Sequence, residues 1–261
     1  MENMNRIIDS HVHLRLLYKY NPERIPWLIG HNCCVISWAF GGDIGSVSDL
    51  KQYHVTRRSV FEELRRRGLD CYHLCGIHPR KIPPDLRPEE VADLLAPFLE
   101  VPECLGVGEI GLETGSSREQ EILCAQVEFG LSLERPDIRF GIHTPRKQKE
   151  IVTGQLLGIL APYQVFLAPV AVIDHCAPKT IGEVLSRGYH AGISLSRNKS
   201  SGDELVEMMG LFGRESHRIM CNTDSGQEFF EDFINASRDG RIEKKVAGNI
   251  FCGTASRFWG M

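Results

Sequence analysis

None of the nine cysteines stands in a C-x-x-C pair, and nine is an odd number for a disulfide framework. Cys33, Cys34, Cys71, Cys75, Cys104 and Cys221 lie instead in apolar, strand-like runs, where a free cysteine behaves as a small buried hydrophobe. That usage points to a reducing compartment. The start, MENMNRII, has no apolar signal core, and no apolar run approaches the roughly 20 residues needed to cross a bilayer. The expectation is a soluble cytoplasmic protein with no membrane partner. An excess of positive charge is missing too: 30 Lys and Arg face 34 Asp and Glu, so no global field advertises nucleic acid, and any phosphate binding has to be local. The one basic run, Arg57 and Arg58 followed by Arg65, Arg66 and Arg67, reads as a solvated helix face.

No internal repeat, low-complexity tract or Pro/Gly/Ser linker divides the chain. Its 261 residues fit one large domain over 1–261, close to the roughly 250 of a (β/α)8 barrel. With 42% hydrophobic and 25% charged residues it can fill a sizeable core, which excludes disorder.

What is present is alternation. Short β-rich runs at 6–14, 33–40, 71–79, 104–113, 138–144, 170–176, 189–195 and 219–224 are separated by stretches of helical period. That pattern belongs to a parallel sheet wound with helices, and eight strands close a (β/α)8 TIM barrel. Pro88 suits a first helical turn, with Glu89 and Glu90 after it and Val91, Leu94, Leu95 and Phe98 at core spacing. Ser117 and Gln120 fit a capping box. Ile151, Val152, Gln155, Leu156, Ile159 and Leu160 trace one helix face, and Ile181, Val184 and Leu185 run into a stop at Gly188. Phe229, Phe230, Phe233 and Ile234 predict a helix after the last strand. An open flavodoxin-like sheet is the alternative, but the phosphate-cradling glycine loop it needs after the first strand is absent.

The strand ends carry the chemistry. Asp9, His11 and His13 alternate onto one face of the first strand, and two imidazoles beside a carboxylate read as the start of a metal site. His78 ends the third strand, Glu109 the fourth, His143 the fifth, Asp174 and His175 the sixth and Asp224 the eighth. Taken singly, each has an ordinary explanation: a strand-end histidine is more often a hydrogen-bonded structural group than a ligand, and Asp224 could cap a helix. Taken together, metal-competent groups at six strand ends converge on one barrel mouth. His31, His54, His73, His190 and His217 do not share that placement, and Cys176 alternates to the packing face.

In order, the segments DSHVHL, GIHPRKIP, GVGEIGLE, GIHTPRK, VIDHC and CNTDSG resemble the TatD family of metal-dependent hydrolases, in the amidohydrolase superfamily. The resemblance spans essentially the whole chain. It implies a binuclear site in which His11, His13 and Asp224 hold one metal, Glu109 bridges, and His143 and His175 complete the second. Imidazole and carboxylate suit zinc, with manganese or magnesium as alternatives. No lysine ends the fourth strand, so Glu109 must serve where other superfamily branches use a carbamylated lysine. Paired metals would activate a water for hydrolysis, with Asp224 as general base. His78, Arg80 and Arg146, with Lys147, are placed to hold a substrate phosphate or carboxylate.

Four departures from the family pattern touch the substrate side. Arg80 replaces the second histidine of HPH, Pro145 moves the strand-five arginine to Arg146, Asp174 precedes the strand-six histidine, and ETD has become Asn222, Thr223, Asp224. The main expectation is a metal-dependent hydrolase of a phosphodiester, in DNA or in a small phosphorylated compound. Its rivals are a lactone, ester or amide hydrolase using the same water, and a binding scaffold whose metals are structural. Helix patterning carries no sign of oligomeric state.

Overall fold

The apolar runs fold as eight strands: β1 Ile7–Val12, β2 Cys33–Ser37, β3 Asp70–Cys75, β4 Cys104–Gly111, β5 Arg139–His143, β6 Ala171–Ile173, β7 His190–Ser194 and β8 Ile219–Asn222. The structure is a computed structural model and describes residues 6–196, 198–226 and 232–261. The strands pair in parallel and in chain order, β1 to β8. They are buried on both faces, as crossover helices require. The sheet curls back on itself at one end. Asp224 N donates to His11 O at 2.9 Å, His13 N donates to Ser225 O at 2.6 Å, and Val12 bridges Ser225. This is a (β/α)8 barrel, and the open-sheet alternative fails on strand order.

The helices are α1 Leu14–Tyr20, α2 Arg24–Gly30, α3 Val47–Arg66, α4 Val91–Leu99, α5 Ser117–Ser132, α6 Lys149–Leu160, α7 Gln164–Leu167, α8 Ile181–Ser186, α9 Gly202–Phe212, α10 Asp232–Ser237, α11 Lys244–Gly248 and α12 Thr254–Trp259. The apolar faces of α4, α5, α6, α8 and α9 pack on the outside of the strands. Inside the barrel Ile8, Cys34, Ile36, Trp38, Leu74, Val172 and Met220 join Ala255, Phe258 and Trp259 of α12 in a separate cluster. The terminal helix therefore packs onto the interior residues, and polar groups are left to the opposite, C-terminal rim.

Several local expectations are refined. The strands stop short of the expected runs because His13, His78, Asp174, His175 and Asp224 lie just past the last residue of each strand. Pro88 opens a 3-10 turn, Pro88–Glu90, ahead of α4. The α5 cap is one residue earlier than expected: Ser116 Oγ accepts from Glu119 N, while Gln120 reaches Gly115 O. Gly188, with φ of 87°, follows α8 as expected. On α6, Val152, Leu156 and Leu160 face inward, but Ile151 is 71% exposed. Phe233 and Ile234 are buried, and Phe229 and Phe230 fall outside the described residues.

Two expectations are overturned. A continuous helical stretch, Lys149–Val170, is by length and composition apolar enough to cross a membrane. Pro162 and Pro169 and the polar residues between interrupt the apolar run along the sequence, although the backbone continues through 3-10 turns. Val152, Leu156, Leu160 and Leu167 of this stretch are packed into the barrel wall. The basic run on α3 is not uniformly solvated either. Arg58, Arg65, Arg66 and Arg67 are exposed, but Arg57 is buried and donates to the carbonyl oxygens of Leu74, at 2.5 Å, and Ser37.

Arg57 thus ties α3 to β2 and β3. Arg57→Met should leave two buried carbonyls without donors and lower unfolding stability by about 2 to 5 kcal/mol. Arg58→Met should stay within about 0.5 kcal/mol. Urea denaturation of the two variants measures the contrast, and equal stabilities would show that the buried guanidinium contributes nothing specific.

Candidate metal centre

Glu109 comes off the end of β4 with its carboxylate 2% exposed and its two oxygens facing different partners. Oε2 lies 3.5 Å from His11 Nε2 and 3.9 Å from His13 Nε2, and Asp224 Oδ1 closes this group at 3.0 Å from His13 Nε2 and 3.7 Å from His11 Nε2. Oε1 lies 2.7 Å from His143 Nδ1, 3.6 Å from His175 Nε2 and 3.4 Å from His78 Nε2. One carboxylate therefore stands between two donor groups.

The donors fit a divalent cation. His11 Nε2 and Glu109 Oε2 are buried without a hydrogen-bond partner, which is costly unless something else satisfies them. His143 presents both ring nitrogens to carboxylates, Nδ1 to Glu109 and Nε2 to Glu113 Oε2 at 3.0 Å. A neutral imidazole has one N–H, so it satisfies only one of them, and a cation on the Nδ1 side resolves the other. His78 is different although it lies within ligand distance of Glu109 and His143. Its Nδ1 accepts from Arg80 N at 3.0 Å, which puts the proton on Nε2. A protonated ring nitrogen donates to an anion and does not bind a metal.

The imidazoles are held by neighbouring groups, most of which sequence reasoning did not single out. His11 donates through Nδ1 to Asp174 Oδ2 at 2.5 Å, leaving Nε2 for a cation. It also stacks on Trp38 at 4.0 Å, and Trp38 Nε1 donates to Ser10 O at 2.8 Å. His175 Nδ1 is hydrogen-bonded to Ser194 Oγ at 2.7 Å. Asp174 Oδ1 accepts from Asn222 Nδ2 at 2.9 Å, and a side chain at Gly192 would overlap that same oxygen. Such outer partners fix the tautomer and aim of a ligand. His175 and Asp224 also adopt left-handed backbone, with φ of 60° and 50°, a region costly for side-chain-bearing residues and concentrated at functional sites.

Burial opposes ionisation of Glu109 and Asp224, but the imidazoles of His78 and His11 around Glu109, and Lys199 and His175 beside Asp224, hold both well below the usual carboxylate range. Burial takes His175 down to about 3 and His78 to about 4, so both rings are neutral near pH 7. At His11 burial works against the charge, yet Glu109 and Asp174 outweigh it and raise the pKa to about 10. The field that would keep a proton there is the field that would hold a cation. Glu113 is lowered to about 2, first by its hydrogen bond to His143 and then by Arg80.

The structure brings His11, His13, Glu109, His143, His175 and Asp224 together. A cavity of about 230 Å³ opens above them, lined also by Phe40, His78, Arg80 and Arg146. Lys147 is not on its wall. Asp9 departs from expectation: its carboxylate accepts from Thr223 N at 3.0 Å and Thr223 Oγ1 at 2.6 Å, joining β1 to β8 and lying outside the donor groups. Lys199 was missed, although its Nζ lies 3.0 Å from Asp224 Oδ2, because no periodicity marks its loop. A wider groove of about 720 Å³ beside α9 and α11 holds none of these residues.

Residues 8–226 match the family model described as TatD related DNase, a match that supports a metal-dependent hydrolase. A TatD-like protein from Archaeoglobus fulgidus is 28% identical, with a TM-score of 0.74 over 97% of this chain and 100% of that one. A TatD homologue from Escherichia coli K12, at 15% identity, a TM-score of 0.62 and 97% of both chains, shares the fold. So does a dihydroxybenzoic acid decarboxylase from Polaromonas sp. JS666, solved with bound manganese and 2-nitroresorcinol (12% identity, TM-score 0.66, 98% of this chain and 97% of that one). No curated protein sequence matches the chain.

Asp174→Asn removes the anion behind His11, and Gly192→Ala displaces the same carboxylate by overlap. Each should weaken metal retention about 10- to 100-fold in a chelator titration. Unaltered retention in both would mean that His11 needs no carboxylate behind it.

Proposed function

The chain belongs to the TatD related DNase family, and from that premise we propose that it hydrolyses a phosphodiester, in DNA or in a small phosphorylated compound, with two divalent cations shared across Glu109. The observation that carries the reading is the division of Glu109 between two donor groups, Oε2 toward His11, His13 and Asp224 and Oε1 toward His143 and His175. The first group would hold one cation and the second the other. Zinc suits this donor set first, with manganese and magnesium as alternatives. Bound there, the cations would supply Lewis acidity, bringing a water's pKa toward about 7 and offsetting charge on the phosphoryl oxygens.

The chain's own groups do the rest. The Asp224 carboxylate would orient the attacking water and take its proton; Lys199 on Oδ2 fixes its plane and keeps it ionised. Arg80 Nε donates to Glu113 Oε2 at 3.0 Å, which holds the guanidinium at the cavity wall; its terminal nitrogens make no hydrogen bond to any described residue and would meet phosphate oxygens. Arg146 stands at the same cavity, and His78 directs Nε2–H into it. Two guanidinium groups at the wall favour a phosphoryl over a carbonyl substrate, although a lactone, ester or amide would meet the same water. An open cavity above the donors speaks against a scaffold, since structural zinc is enclosed by four ligands. The reading takes 1–261 as one catalytic domain, and nine free cysteines suit the reducing cytoplasm.

Glu109→Ala should lower kcat by more than about 100-fold, beyond the loss from an outer partner, while the circular dichroism spectrum is retained. Full turnover by that variant would refute the bridging role. Asp224→Asn should cost about 10²- to 10⁴-fold in kcat. Metal-loaded protein tested on bis(p-nitrophenyl) phosphate, lactones and amides decides the bond: activity on a lactone or amide with none on the phosphodiester removes the nuclease reading.

A further inference from the structure

Beside the metal centre lies a second recess of about 130 Å³ that shares Arg146 and His175 with the main cavity. Its wall adds Lys149, Ser194, Asn198 and Lys199. Three cationic side chains thus face one small space, and their charges are poorly matched. Lys149 Nζ donates to His175 O at 2.7 Å and Thr144 Oγ1 at 3.3 Å, both uncharged acceptors. Arg146 has no ion pair among the described residues. Lys199, only 4% exposed, has Asp224 Oδ2, but that carboxylate also serves His13. The acid at the rim, Glu204, accepts from Ser201 N at 2.8 Å as the cap of α9.

Lys149 is half-buried and Lys199 nearly enclosed, with one shared carboxylate between them, while Arg146 stands exposed at the mouth. Cations sunken without an equal number of anions are costly unless a ligand supplies the missing charge. Two ammonium groups and one guanidinium, arriving from β7's following loop, α6 and the β5 loop, line one recess. They suit a tetrahedral dianion better than a planar carboxylate, which is matched by the fork of a single guanidinium. We infer that this recess binds a second phosphate of the substrate, a phosphomonoester one sugar away from the phosphodiester that is cut. The assignment rests on the proposed hydrolase reading and narrows it: the substrate is a terminally phosphorylated nucleotide ester or strand end.

Two measurements test it. Calorimetric titration of the metal-loaded protein with inorganic phosphate should count two phosphates per chain, one at the metal centre and one in the recess. Lys149→Gln should bind one, and Glu109→Ala should keep the recess phosphate. Because Lys149 also supports the His175 carbonyl, Asn198→Asp, an exposed change that puts an anion at the recess mouth, should likewise reduce the count to one. A single phosphate in the wild type, or two in both recess variants, overturns the inference. In the second measurement, thymidine 5′-(p-nitrophenyl phosphate) is compared with its 3′-phosphorylated form. The latter should be preferred about 10- to 100-fold in kcat/KM, the worth of a charge-assisted hydrogen bond, mostly through KM. Lys149→Gln should largely erase that ratio, and equal kcat/KM for the two esters in the wild type also overturns the inference. If neither ester is cleaved while two phosphates bind, the hydrolase reading falls and the recess stands.

Discussion

The barrel closes through two backbone hydrogen bonds, from Asp224 N to His11 O and from His13 N to Ser225 O. Three of the four residues that make this seam, His11, His13 and Asp224, also supply side chains to the first donor group. Asp9 reinforces it from one residue pair below, accepting both the amide and the hydroxyl of Thr223. Joining β1 to β8, the two strands farthest apart in sequence, is therefore the same event as bringing His11 and His13 to Asp224. A displacement of the last strand that opened the barrel would also dismantle the site, so the precision of the donor group is inherited from the sheet.

Across the barrel, Glu109 plays the complementary part. It reaches both donor groups only because it stands at the end of β4, opposite the β1–β8 seam, with Oε2 left without a hydrogen-bond partner and Oε1 facing ring nitrogens. His11 has its other nitrogen engaged by Asp174, His175 by Ser194, and His143 by Glu113. Each ring thus turns one nitrogen outward to a support and the other inward. The inward atoms are left facing one another across distances of 2.7 to 3.9 Å. That is an unfavourable place for bare lone pairs and a favourable one for cations.

Much of this was legible in the chain. Strand number and order follow from apolar runs alternating with helical period, and strand-end placement gathers eight metal-competent groups, from which the family resemblance picks the six proposed donors. What the sequence hid was whatever depends on a side chain's partner rather than its position. Arg57 looks like one more solvated arginine until β2 and β3 offer it two carbonyls. Asp9 shares a strand face with His11 and His13, but the hydroxyl of Thr223, more than 200 positions away, claims its carboxylate. Lys199 and Lys149 sit in or beside irregular segments where no periodicity exists to read. The apolar stretch Lys149–Val170 was concealed by its prolines, which the backbone accommodates with 3-10 turns instead of ending.

The departures from the family pattern become intelligible as a pair. An aspartate precedes the β6 histidine, and an asparagine stands where a glutamate is usual on β8. In the structure these two residues touch: Asn222 Nδ2 donates to Asp174 Oδ1, while Asp174 Oδ2 accepts from His11. A glutamate at 222 would set a second carboxylate against Asp174 in a fully buried space, and one of the two would have to take up a proton. With an amide there, Asp174 stays ionised, well below its ordinary pKa despite burial, and its charge is delivered to His11. Gly192 completes the arrangement by leaving room on β7 for that carboxylate. The two changes are thus one electrostatic unit, which places the anion behind His11 on β6 and requires a neutral donor on β8.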